Sequence, residues 1–133
     1  MRSLVLLTEG YGKAGQIEAG LDVLHEALTT AERRGARRWE AELYRLKGKL
    51  LLALLAEKYT EAATCFHQAL DIARHQQAKS LELRAATSLS RLWQQQGKRV
   101  EARDLLAPIY GWFTEGFDTA DLQEARAMLE ALA

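Results

Sequence analysis

A chain of 133 residues is long enough for one domain with a real core, and its eighteen basic residues balance eighteen acidic ones, which leaves no long-range field to hold nucleic acid or an anionic membrane. Hydrophobic residues make up 48% and are mostly Leu and Ala, Pro occurs once at Pro108, and Asn is absent, so the composition favours helix and removes the Asn-Gly hairpin turn. Cys65 stands alone and allows no internal disulfide, and the longest apolar run, Leu50 to Ala56, is far short of a spanning helix. No small-residue cleavage site follows the short apolar run after Arg2, so no signal peptide is expected, and the expected compartment is the cytoplasm.

Helical periodicity runs through almost the whole chain. It predicts seven helices, at about 2–13, 16–34, 37–55, 59–76, 79–96, 99–114 and 119–132. Gly15, Gly35, Gly97 and Gly116 fall at breaks and suit C-terminal caps, because Gly accepts positive φ cheaply. Glu57-Lys58 and Gln77-Ala78 mark weaker breaks. Asp118 is the expected N-cap of the last helix, and Pro108 is expected to kink the sixth. Connections this short make neighbouring helices antiparallel.

The hairpins repeat. The segments "GQIEAGLDVLHEAL" (15–28), "EKYTEAATCFHQAL" (57–70) and "GKRVEARDLLAPIY" (97–110) align without gaps, at steps of 42 and 40 residues. Gly20, Ala62 and Ala102 share one position, Leu24, Phe66 and Leu106 a second, and Ala27, Ala69 and Ile109 a third. A small residue that permits close helix approach, followed four residues later by a large apolar one, is a packing face repeated along a solenoid. The reading is a single all-α domain over 1–133: an α-solenoid of three antiparallel helix hairpins (1–35, 36–77, 78–116) and a capping helix (117–133).

On these residues the chain resembles the tetratricopeptide repeat (TPR) family. Tyr44, Gly48 and Leu51 match the first helix of its pattern, and Ala62, Phe66 and Ala69 the second. Leu7 and Tyr11, and Leu89 and Trp93, match in the flanking repeats. The departures are a period near 40 instead of about 34, no Pro between repeats, and Gly20 in place of the small Ala. A closer similarity lies in "RRWEAELYRLKGKLLL" (37–52), "CFHQALDIARHQQAKSLELRAATSLSRLWQQQGK" (65–98) and "EARDLLAPIYGWFTEGFDTADLQEARAML" (101–129). These resemble the C-terminal repeats of large bacterial signalling ATPases of the nucleotide-cyclase or LuxR type. The resemblance implies a non-enzymatic scaffold or sensor end of such a protein. A small-molecule-sensing domain, with a ligand held between hairpins, is the alternative.

The residues that could carry chemistry each have a plainer reading. Gly10, Gly12 and Gly15 are spaced like a dinucleotide fingerprint, but the chain after them is helical and no sheet follows, so no cofactor is expected. His67, Asp71 and His75 share one helix stripe, with His25 at the repeat position of His67; that stripe lies opposite the apolar arc of Ala62, Phe66, Ala69, Leu70 and Ala73, so neither a metal nor a catalytic site is expected. Cys65 falls in that apolar arc and reads as a core residue. The Arg cluster at 33–38 reads as a helix end and a loop.

The strongest candidate is a polar stripe on the first helices of the second and third hairpins, Arg38, Glu42, Arg45, Lys49 and Arg84, Ser88, Arg91, Gln95. The TPR resemblance implies that Arg45, Lys49, Arg84, Thr87, Arg91 and Gln94 line a concave groove. Such a groove would take an acidic peptide or an acidic face of the parent protein. At the other end, Leu4 to Leu7 form an uncapped apolar edge, and self-association through it is expected.

Overall fold

The computed structural model describes residues 17–34, 39–54 and 56–133. The first expected helix with Gly10 and Gly12, the breaks at Gly15 and Gly35, Arg38 and the apolar edge at Leu4 to Leu7 lie outside the described residues. The described elements are α1 (Ile17–Arg34), α2 (Glu40–Leu54), a short 3-10 turn (Ala56–Lys58), α3 (Tyr59–His75), α4 (Lys79–Gln95), α5 (Arg99–Gly111) and α6 (Ala120–Leu132), with no strand among them. The protein is all-α. Each helix packs against the next, so α2 pairs with α3 and α4 with α5, while α1 closes on α2 and α6 covers the end of the stack.

The three repeat positions behave alike. Leu24, Phe66 and Leu106 are all buried, as are Ala27, Ala69 and Ile109, and Gly20, Ala62 and Ala102. Beyond neighbours in sequence, α2 packs on α4 and α4 on α6. The even helices thus gather into one layer, and α1, α3 and α5 stand outside it. Helix α4 touches α2, α3, α5 and α6. That central place explains its lining of Ala85, Ala86, Ser88 and Ser90, small residues that let neighbours approach on several sides. The Ser90 hydroxyl donates to the Ala102 carbonyl of α5 at 3.1 Å, and among the described residues every buried side-chain polar atom has a partner.

Gly48 of α2 has a steric reason. A β-carbon there would meet the Phe66 ring of α3 at 2.6 Å, so the bare backbone is what seats the ring. Phe66 is 1% exposed and packs with Ala62, Leu89 and Leu92.

Two helix ends show how the chain turns. At the end of α4, Gly97 has φ +79; its N–H donates to the Gln94 carbonyl, and the Lys98 N–H to the Trp93 carbonyl. This is a Schellman cap, as the glycine suggests. The end of α3 is built the same way, with Gln77 N–H to Arg74 and Ala78 N–H to Ala73, but the left-handed position is held by Gln77 at φ 54. A side chain there is disfavoured by roughly 1 kcal/mol relative to Gly. Replacing Gln77 by Gly should therefore raise stability by about 1 kcal/mol in urea unfolding; a neutral or destabilising result would mean that the Gln77 side chain contributes contacts of its own.

Two expected boundaries differ. Helix α5 ends at Gly111 with Trp112 as its cap, so Gly116 (φ +77) is not a helix C-cap: its carbonyl accepts the Thr119 N–H on the approach to α6. The N-cap of α6 is Thr119 and not Asp118. The carboxylate in its first turn, Asp121, is engaged by Arg84.

Candidate functional site

The even-numbered layer carries the polar stripe. Residues three, four and seven apart share one face of a helix, and since alternate helices of an antiparallel stack run the same way, the faces of α2 and α4 lie side by side. Five of the six expected groove residues, Arg45, Lys49, Arg84, Thr87 and Arg91, line one cavity of about 230 Å³. Ser88 completes its wall, and Asp121 and Glu124 of α6 close its far side. Gln94 is half-buried and does not line it. Thr87 is buried, and its hydroxyl is spent on the Leu83 carbonyl at 2.8 Å.

The expectation had four cations facing a groove. The structure places carboxylates among them. Glu42, 4% exposed, accepts two hydrogen bonds from Arg45, Nε to Oε1 at 2.8 Å and Nη2 to Oε2 at 3.0 Å, and one from Nη1 of Arg84 at 3.1 Å. Arg84 then donates through Nε to Oδ2 of Asp121 at 2.8 Å. Arg91 donates to Glu124 at 2.7 Å. The result is a ladder of charge crossing α2, α4 and α6. Burial pushes the Glu42 carboxyl upward, but the Arg45 hydrogen bonds and the two guanidinium charges outweigh it and hold the group below the usual carboxylate range. Burial works against the charged form of Arg84 too, and the Asp121 and Glu42 carboxylates outweigh it, so its guanidinium is held above its ordinary value. The sequence displays every one of these charges. What it does not display is that Glu42 and Arg84 stand one repeat step apart, and that the capping helix returns its acids to the same face.

The groove continues along the α2–α4 crevice. Next to the charged cavity lies a smaller one of about 180 Å³, which shares Lys49, Ser88 and Arg91 with it and adds Leu52, Phe66, Leu92 and Gln95. Beyond it is a wider depression of about 640 Å³ that shares Leu52, Leu92 and Gln95 and adds Ala53 and Tyr59, with Gln96 and Lys98 at its rim.

The other candidates fall elsewhere. His25, His67, Asp71 and His75 are exposed; His67 packs its ring on Trp93 at 5.8 Å between centroids, and Nδ1 of His75 lies 2.9 Å from the Asp71 carbonyl. Among the described residues no group of three or more His, Cys, Asp or Glu is placed to hold a metal ion. Cys65 is buried, and burial raises its thiol above the ordinary value, which favours the protonated form. No described helix is long and apolar enough to cross a membrane.

No protein-family model matches the chain, and no solved structure matches it. It is similar to an uncharacterised protein of Rhizobium meliloti (strain 1021), with 36% identity over 81 residues. The match takes in 61% of this chain and spans 8% of that protein, which is therefore several times longer.

Proposed function

We infer that this chain is a non-enzymatic interaction module that docks an acidic segment of a protein against the inner face of its helical stack. The observation that carries this reading is the arrangement of Arg45, Lys49, Arg84 and Arg91 along one cavity. Helix α6 already offers Asp121 and Glu124 to two of these cations, which supports acid-on-base docking as the kind of contact this face makes. The similarity to a small part of a much longer protein supports a place within a larger assembly. The resemblance of the repeats to those of large bacterial signalling ATPases adds the reading that this chain is the C-terminal regulatory region of a bacterial, cytoplasmic, multidomain protein of that kind. A small-molecule sensor would rely on a deep, enclosed apolar pocket; here the charged cavity is polar and the more apolar depression beyond it is wide and open, which favours a peptide instead.

The reading is tested with a labelled oligo-glutamate peptide and charge reversal at two exposed positions, Lys49→Glu with Arg91→Glu. Arg45 is a poor choice, because reversal there would set a second carboxylate against buried Glu42. The double variant should weaken capture at least tenfold at low ionic strength and lose its distinction from the parent chain as salt screens the pairs. Equal capture by both proteins would defeat docking on this face.

A further inference from the structure

The charged cavity and the apolar depression are two ends of one groove, and its polarity is graded along the helices. On α4 the wall reads Arg84, Ser88, Arg91, Leu92 and Gln95, all on one helical face. On α2 it reads Arg45, Lys49, Leu52 and Ala53 in the same direction. Arg45 and Lys49 precede Leu52 and Ala53 along α2, and Arg84 and Arg91 precede Leu92 along α4, so these cations lie toward one end of the groove and aliphatic surface, with exposed Tyr59 of α3 and with Lys98 at its rim, lies toward the other. From Arg84 to Gln95 the wall is about 16 Å long at 1.5 Å per residue. An extended chain covers that in about five residues.

We propose that the occupant is an extended peptide of about five residues whose acidic side chains are segregated from its aliphatic ones, acids over Lys49 and Arg91 and aliphatic side chains over Leu52, Ala53 and Tyr59. Charge complementarity fixes one end, because Arg84 and Arg91 are 40% and 45% exposed and remain open to a second carboxylate. Apolar burial fixes the other end, where the Gln95 amide is placed to pair with the peptide backbone. Specificity then resides in the order of residues as well as in net charge. This rests on the docking reading above and adds the sequence character of the partner.

Two labelled peptides of identical composition, blocked at both termini, decide the matter: Asp-Glu-Gly-Leu-Val, with its charges segregated, and Asp-Leu-Glu-Val-Gly, with them interleaved. Fluorescence anisotropy should show the segregated peptide binding at least tenfold more tightly. Ala53→Glu, an exposed position in the apolar half, should remove that advantage, and Arg91→Glu should weaken binding of both peptides. Equal affinity for the two peptides, with Ala53→Glu silent, overturns the graded groove and leaves ionic docking standing. Failure of both peptides and of oligo-glutamate to bind overturns the two readings together. Binding of decanoate in place of either peptide overturns the proposal in favour of a small amphiphile.

Discussion

Replacing Phe66 by Ala should destabilise the protein by about 3–5 kcal/mol, the cost of removing an aromatic ring from a site that cannot fully collapse. The ring is 1% exposed and sits between α2, α3 and α4, against Gly48, Ala62, Leu89 and Leu92. Gly48 gives this prediction a sign that composition alone could not supply. In the parent chain, Gly48→Ala drives a methyl group into the ring edge at 2.6 Å; overpacking costs about 1–3 kcal/mol, against a helix-propensity gain of about 1 kcal/mol. The net effect should be destabilising or neutral. In the Phe66→Ala background the obstacle is gone, and the same Gly48→Ala change should stabilise by up to about 1 kcal/mol. Urea unfolding of the four proteins in this cycle measures the reversal; an additive cycle would show that Gly48 and Phe66 are not coupled.

The second large effect is expected at Glu42. Truncation to Ala removes a buried carboxylate that serves two arginines and strands Arg45, whose side chain is 12% exposed. Arg84 keeps Asp121 and is 40% exposed, so the loss should be about 2–3 kcal/mol, short of the full cost of orphaning two buried charges. Glu42→Gln should lose less, because the shape is kept. The lowered carboxyl pKa sets the pH dependence. A depressed carboxylate contributes stability that is fully present above its unfolded value of about 4.3 and is lost as pH falls through the lower folded value. The stability gap between the parent chain and Glu42→Gln should hold steady from about pH 7 to pH 5 and narrow toward about pH 3. A gap that widens in acid would contradict the pairing.

The repeat was legible in the sequence because burial repeats with it. Gly20, Ala62 and Ala102, with the large residues four positions on, could be aligned by size alone, and all of them are buried. The helix ends at Gly97 and near His75 could be read too. Three other features could not. Gln77 holds a left-handed position that chemistry assigns to Gly, because the Schellman hydrogen bonds around it fix the backbone. Helix α5 stops at Gly111 although helical periodicity continues; Tyr110 pairs with Phe117 beyond it and Trp112 with Phe113, and Tyr110 and Phe113 pack on the core. The candidate groove was legible as a stripe of cations on α2 and α4. The pairing of its arginines with carboxylates was not, because Glu42, Arg84 and Asp121 meet across 42 and 37 residues of chain, and only the stacking of hairpins brings them together.

That stacking has a consequence for how such a protein could grow. Along the inner layer, the facing positions of successive helices carry charge of alternating sign: Glu42, then Arg84, then Asp121. A tandem copy of the α4–α5 hairpin inserted after the original would set one Arg84 against another across the new junction, in a place where carboxylates now accept its hydrogen bonds. The hairpins are alike in their apolar packing and unlike in polarity, so each specifies its neighbour. The order of units is written into the stack, and lengthening it by repeating a single hairpin carries an electrostatic penalty at the added joint.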